Sequence, residues 1–304
     1  MADDSRSPSQ MAPRGSPDPG GAGQALSRAH VVCLTFDFDA LSVWLGAYLE
    51  VTPAMLSRGE FGARVGVPRI LQLLSDYDIR ATFFVPGHTA ESFPDAVAAI
   101  LTAGHEVGHH GYGHVDPSAQ SPAEERRSME RGMRVLERFI GRPPLGYRSP
   151  SWDYSEATLS LLVEFGLLYD SSLFADDHRP YHPRLGDTVG AERPLQPGQE
   201  VELWEFPVSF ALDDWPHFMF DFESMPYGLS APSKVYEIWA ADFDYLVEHE
   251  EAGVFTVTMH PQVIGRGHRM ALLERFIRHV SERGARFARM GDVAQDLSTG
   301  GYRG

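Results

Sequence analysis

Two aspartates end an apolar segment near residue 35. In AHVVCLTFDFD, Asp37 and Asp39 follow a short, β-branched run that is typical of a buried strand. Residues two apart in a strand point to the same side, so the sequence predicts that both carboxylates face one point. Buried carboxylates need a proton, a hydrogen bond or a cation. The alternative is a loop that begins at Asp37 and leaves both side chains in water, since Asp favours turns.

A histidine-rich segment supplies a second set of chemical groups. HEVGHHGYGH contains four histidines in ten residues, and His110 and His114 lie four apart. Gly111 and Gly113 disfavour a regular helix, but a tight turn also brings the two rings together. Two imidazoles and one carboxylate form a metal site with open positions for water and substrate, as a catalytic metal requires. The alternative is that these histidines are ordinary surface or core residues.

An open divalent site supports hydrolysis of amide bonds. The cation lowers the pKa of water and polarises a carbonyl oxygen, and a nearby carboxylate that does not bind the metal takes the water's proton. Asp37 and Asp39 therefore receive different roles, one as ligand and one as base. His260 ends the apolar run VFTVTMH and is placed to protonate the leaving nitrogen, unless it serves only in packing or capping.

The surrounding pattern predicts the elements that position these groups. Strand and helix signals alternate along the chain, which indicates a parallel α/β sheet, either open or closed into a barrel. Active groups in such folds lie at the carboxyl ends of strands. Several predicted strands end on ionisable residues: Asp37 and Asp39, His109 and His110, Arg148, Asp170, and His260.

One segment breaks the alternation. Residues 175–232 are rich in Pro, Asp and aromatic side chains, and we interpret them as an irregular insertion that walls a site or joins subunits. Trp44, Trp152 and other aromatic residues would roof a compact pocket, although ordinary core packing is the alternative for most of them.

Composition limits the classes of function. The 304 residues include 42 Asp plus Glu against 26 Lys plus Arg, a net charge of −16, which argues against nucleic acid and anionic membranes as partners. No apolar run reaches eighteen residues, so no membrane span is expected. The single cysteine, Cys33, excludes a disulfide framework and disfavours a closed structural zinc site.

The terminus carries its own prediction. Residues 1–28 are rich in Ser, Pro and Gly and lack the apolar core of a signal peptide. We interpret them as a disordered leader, residues 29–304 as a single catalytic domain, and the protein as cytoplasmic.

Five motifs in order resemble those of the polysaccharide deacetylase family: TFDFD, HGYGH, YRSPSW, LLYDSSL and VTMHP. Phe38 separates the two aspartates that are adjacent in most of the family. This variant resembles a branch that includes peptidoglycan deacetylase-like proteins, cyclic imide hydrolases and allantoinase-like enzymes. The resemblance covers nearly all of residues 30–295 and implies a distorted (β/α) barrel of about seven strands.

The resemblance also implies residue roles. Asp39, His110 and His114 would bind a divalent metal, usually zinc. Asp37 would be the base, His260 the acid, and Arg148 the ion-pair partner that orients Asp37. Backbone N–H groups near Ser149 or Trp152 would help to hold the oxyanion. Together with the aromatic and strand-end residues named above, this gives Trp44, Ser149, Trp152 and Asp170 as the predicted substrate-contacting residues. A homo-oligomer, with a tetramer as the candidate, is implied as well.

The sequence thus predicts a metal-dependent hydrolase of carbon–nitrogen bonds other than peptide bonds. A small cyclic imide or amide is the favoured substrate. One alternative is N-deacetylation of an amino-sugar polymer such as peptidoglycan. Another is a catalytically inactive metal-binding homologue.

Overall fold

The computed structural model describes residues 30–47, 51–221 and 228–300. The predicted leader, residues 1–28, lies outside them, as do residues 222–227 of the predicted insertion. The division into a leader and a single domain stays a prediction. In the described part of the chain, no helix combines the length and the apolar character needed to cross a bilayer.

Twelve strands occur in the described residues: β1 (Val31–Asp37), β2 (Thr82–Val85), β3 (Glu106–His109), β4 (Gly146–Tyr147), β5 (Tyr169–Asp170), β6 (Arg184–Leu185), β7 (Thr188–Gly190), β8 (Arg193–Gln196), β9 (Gln199–Glu200), β10 (Trp204–Glu205), β11 (Val254–Met259) and β12 (Arg286–Phe287). The main sheet has the order β10-β5-β4-β3-β2-β1-β11, with β12 also paired to β1. Every pairing in it is parallel. All carboxyl ends therefore lie at the same edge, where the predicted site residues are found.

Twelve α-helices accompany the strands: α1 (Ser42–Ala47), α2 (Pro53–Phe61), α3 (Val67–Asp76), α4 (Gly87–Ser92), α5 (Pro94–Thr102), α6 (Pro122–Ile140), α7 (Thr158–Glu164), α8 (Asp214–Phe218), α9 (Pro232–His249), α10 (Pro261–Ile264), α11 (Gly267–Glu282) and α12 (Met290–Ser298). Local sequence explains several of their ends. Ser121 and Glu124 form a capping box at the start of α6, and Gly141 ends that helix with φ 78°.

The sheet is mostly parallel and curls into a half-barrel with helices around it, which confirms the predicted (β/α) barrel of about seven strands. All seven residues of β1 are buried, because strands lie on both its sides and helices cover the sheet. An isolated parallel bridge joins Asp213 to Thr258 of β11. The apolar core packs around β1, β2 and β11, whose carboxyl ends carry the site.

The segment predicted as an irregular insertion has structure of its own. β6 pairs with β9, and β7 with β8, as two small antiparallel sheets. β7 and β8 are exposed along their whole length. β10 instead joins the edge of the main sheet, and α8 carries Asp214 to the neighbourhood of His260. The segment therefore contributes to the site as well as to the surface.

Candidate active site

Asp39, His110 and His114 meet at one point although they come from two separate segments. The carboxylate oxygen Asp39 Oδ1 lies 3.4 Å from His110 Nε2 and 3.8 Å from His114 Nε2. The three ligand atoms all lie within 4.8 Å of one another, and all three residues are buried. The three side chains converge in the structure, and their role as metal ligands stays a prediction.

A tight turn after β3, rather than a helix, brings the two imidazoles together. Gly111 has φ 67° and His114 has φ 58°, so the chain reverses within this segment. Its backbone lies against two glycines of neighbouring helices. A Cβ on Gly46 would lie 2.0 Å from the carbonyl oxygen of His114, and a Cβ on Gly132 would lie 2.5 Å from that of Gly111. Glycine at both positions therefore permits the close packing that fixes the turn.

The donor set fits a divalent cation. The Nδ1 of His110 lies 2.7 Å from the carbonyl oxygen of Arg148, so Nδ1–H donates there and Nε2 keeps its lone pair toward Asp39. Asp39 Oδ1 is buried, and among the described residues it accepts no hydrogen bond. Burial would raise the pKa of Asp39, but His114, His110 and His260 together lower it to about 2. An ionised, unsatisfied carboxylate oxygen facing two imidazole nitrogens suits a metal ion.

Asp37 lies beside this group and is bound by a buried arginine. Arg148 Nη1 donates to Asp37 Oδ1 at 2.8 Å and to Thr35 Oγ1 at 2.7 Å, and the guanidinium is fully buried. Asp37 itself is only 3% exposed. The interpretation that both aspartates stand in water is therefore wrong. Burial lowers the pKa of His110, but Asp39 and Asp37 outweigh burial and raise it above its ordinary value.

His260 approaches Asp39 from the end of β11. Its Nε2 lies 3.8 Å from Asp39 Oδ2, and its Nδ1 lies 2.7 Å from Asp214 Oδ1. Burial lowers the pKa of His260, but Asp214 and Asp213 outweigh burial and raise it to about 10. The ring is therefore positioned by Asp214 as an imidazolium whose Nε2–H points toward the Asp39 side of the site.

Sequence reasoning missed Asp213, Asp214 and Gln262. Asp214 is fully buried and accepts from both the backbone N–H and the ring of His260. Gln262 Nε2 donates to Asp39 Oδ2 at 3.3 Å. A signal for the aspartates was present, because two adjacent acids stand between apolar and aromatic residues in FALDDWPHF. Nothing in their spacing connected them to His260.

Trp44 and Trp152, the aromatic residues predicted to contact substrate, lie at different depths and pack against different rings. Trp44 is 1% exposed and its ring centre lies 5.8 Å from that of Trp215, which in turn lies 4.9 Å from His260. Trp215 thus contacts both Trp44 and His260. Trp152 is 9% exposed and packs against the more exposed ring of Phe174.

Two predicted polar contacts are already engaged in the structure. The N–H of Ser149 donates to Ser172 Oγ at 2.8 Å, and that of Trp152 donates to the carbonyl of Ser149 at 3.0 Å. An oxyanion role for either amide would require these bonds to change. Asp170 is fully buried, and its oxygens accept from Tyr154 and Ser172. Asp170 therefore lies behind Ser149 and contacts it through Ser172.

Comparisons with known proteins agree with this architecture. A family model described as polysaccharide deacetylase matches residues 27–169. The chain is 34% identical over 285 residues to a protein named peptidoglycan deacetylase from Helicobacter pylori, covering 90% of this chain and 97% of that protein. A crystal structure from Mycobacterium smegmatis that is classed with the polysaccharide deacetylases has a TM-score of 0.78 at 34% identity, covering 97% and 96% of the two chains. An allantoinase structure has a TM-score of 0.72 at 26% identity, covering 94% of each chain.

Proposed function

Because this chain belongs to the polysaccharide deacetylase family, whose members hydrolyse carbon–nitrogen bonds other than peptide bonds, we propose that it removes the acetyl group from an N-acetylated amino sugar with the aid of a divalent metal ion. The similarity to the Helicobacter pylori peptidoglycan deacetylase over nearly the whole of both chains supports this substrate class. The cyclic imide favoured by the sequence becomes the second candidate.

Asp39, His110 and His114 would hold the metal, for which zinc is our proposal. A divalent cation at such a site lowers the pKa of water and polarises an amide oxygen. Asp37 is the proposed base. Arg148 orients its carboxylate through the 2.8 Å ion pair, and that carboxylate would accept the proton of the attacking water.

His260 is the proposed acid. Its Nδ1 is bonded to Asp214, which leaves Nε2–H to donate a proton to the departing amine. Asp214 acts here as a positioning residue, because it fixes the ring and stabilises its charged form. The base and the acid come from the ends of β1 and β11, which are adjacent strands.

One observation carries this proposal. The Asp39 carboxylate and the imidazoles of His110 and His114 converge, and a separate carboxylate and a separate imidazolium, those of Asp37 and His260, lie beside them. An inactive homologue would be expected to lose one of the last two groups, whereas both are present and oriented. This arrangement argues against the inactive alternative.

Purified protein tests the proposal directly. We expect acetate release from N-acetylated chitooligosaccharides or peptidoglycan fragments, metal bound in proportion to protein, and loss of activity after chelation. Asp37→Asn should lower kcat/KM by about 10²-fold or more and retain the metal. Asp78→Asn is a matched control, because the Asp78 side chain is 94% exposed and distant in sequence from every site residue. Unchanged turnover in Asp37→Asn would rule out the assigned base.

Hydrolysis of a cyclic imide or ureide is the second candidate, and the allantoinase structure is the observation that favours it. Succinimide and dihydrouracil are suitable probes. Turnover of these compounds without acetate release from the N-acetylated sugars would replace the first candidate by the second. A cytoplasmic location and a homo-oligomer, with a tetramer as the candidate, stay predictions. Light scattering measures the oligomeric state.

A further inference from the structure

A cavity lies beside the candidate metal group, which consists of Asp39, His110 and His114. It has a volume of about 140 Å³, and Trp44 and Gln262 form part of its wall. Gln262 Nε2 also donates to Asp39 Oδ2, so one side chain borders both the cavity and the metal group. A ligand held in this cavity would therefore extend toward the reacting centre.

Three arginines line the same cavity: Arg58, Arg266 and Arg269. The contacts that the structure describes for their guanidinium groups are with neutral partners. Arg58 Nη2 lies 3.4 Å from the carbonyl oxygen of Phe220, and Arg269 donates to the carbonyl oxygens of Val263 and Phe218. Arg266 lies over the ring of Phe61 at 3.5 Å.

The neighbouring positive charges destabilise one another. Burial lowers the pKa of Arg266, and the neighbouring Arg58 and Arg69 lower it further. Burial lowers the pKa of Arg269 as well; Asp214 opposes that effect, whereas Arg266 and Arg58 add to it. The three cations thus repel one another in a chain whose net charge is −16.

Two buried polar atoms of residues that line the cavity also lack a partner. Arg269 Nε and Gln262 Oε1 have no hydrogen-bond partner among the described residues, and their side chains are 8% and 5% exposed. An unpaired buried donor costs about 1–3 kcal/mol. A planar guanidinium fork suits a carboxylate in particular.

We propose that this cavity is a subsite for a carboxylate group of the substrate, contacted by Arg58, Arg266 and Arg269. The inference rests on the proposed function, since it specifies a substrate for the same site. The volume is ample, because one water needs only about 10–15 Å³ by the same measure.

Matched pairs of probes that differ by one carboxylate test the subsite. Dihydroorotate and dihydrouracil form one pair, and N-acetylmuramate and N-acetylglucosamine form the other. Calorimetry on the metal-loaded full-length protein should show that the carboxylate member of at least one pair binds on the order of tenfold more tightly. The value of kcat/KM should show the same preference wherever a pair is hydrolysed.

Variants assign the preference to the arginines. Arg266→Gln and Arg58→Gln should each remove most of it and leave the neutral member's affinity unchanged. Arg64→Gln is the control, because it removes the same charge from an arginine with a 72% exposed side chain outside the cavity, and it should keep the preference. Thermal unfolding of each variant checks that the fold is retained.

Three results would overturn the subsite. These are equal affinities within both pairs, a preference that survives both substitutions because the carboxylate binds the metal ion instead, and inorganic phosphate competing as well as the carboxylates, which would indicate a general anion site. Arg266-dependent binding without hydrolysis of any probe would refute the proposed function and leave the subsite standing. Hydrolysis without carboxylate preference would do the reverse.

Discussion

Replacing Arg148 by methionine is expected to destabilise the fold strongly. Arg148 is fully buried and donates to Asp37, to Thr35 Oγ1, and to both the carbonyl and the hydroxyl of Ser171, at 2.7–2.9 Å. Its guanidinium also lies 4.4 Å from the ring of Phe84. Methionine fills a similar volume but leaves Asp37 as a buried charge without a counter-ion.

The magnitude follows from that unpaired charge. Breaking a buried ion pair by removing one partner costs about 3–5 kcal/mol. The double variant Asp37→Asn, Arg148→Met removes both charges, so about 2 kcal/mol or more of the loss should be recovered, and the remainder comes from the acceptors of Thr35 and Ser171. A coupling of this size is typical of residues in direct contact.

Urea unfolding of the metal-free protein measures these free energies, because chelation removes any contribution from metal binding to the folded state. Arg126→Met is the control. Arg126 pairs with Glu164 on the surface, and its loss should cost less than about 1 kcal/mol. A loss below about 1 kcal/mol in Arg148→Met, or a double variant no more stable than the single one, would refute the reasoning.

Three further substitutions test separate parts of the fold and site. Burial and the adjacent Asp170 raise the pKa of Glu205, so the folded protein retains a proton that the unfolded chain releases. The free energy of unfolding should therefore fall as the pH rises above the pKa of the unfolded carboxyl group. Glu205→Gln should flatten this slope and increase stability at pH 8, as measured by urea unfolding between pH 5 and 8. An equal slope in both proteins would contradict the assignment. Gly46→Ala would place a Cβ 2.0 Å from the carbonyl oxygen of His114, so metal affinity in competition with a chelator should fall by about tenfold or more. Asp39→Asn removes the charge of the proposed carboxylate ligand, and elemental analysis should find the bound metal lost; full occupancy would argue against the assigned ligand set.

The order of elements and the edge that carries the site follow from local pattern. Strand signals that precede Asp37, His110 and His260 predicted strands with ionisable side chains at their carboxyl ends, and the structure places these side chains there. Gly141 marked the end of α6, because a residue in the left-handed region is needed there and glycine adopts it without strain. The periodicity of apolar side chains and the backbone preference of each residue depend on neighbouring residues, so they can be predicted from a single sequence.

Contacts that join distant segments were decided only by the tertiary structure. Asp214 lies in a segment without regular pattern, and Gln262 reaches Asp39 across 223 positions of the chain. The use of the Ser149 amide by Ser172, and the meeting of three arginines beside the metal group, likewise depend on how the sheet curls and where α8 and α11 pack. Hydrogen bonds and charges act through space, and spacing along a chain does not determine which distant groups become neighbours.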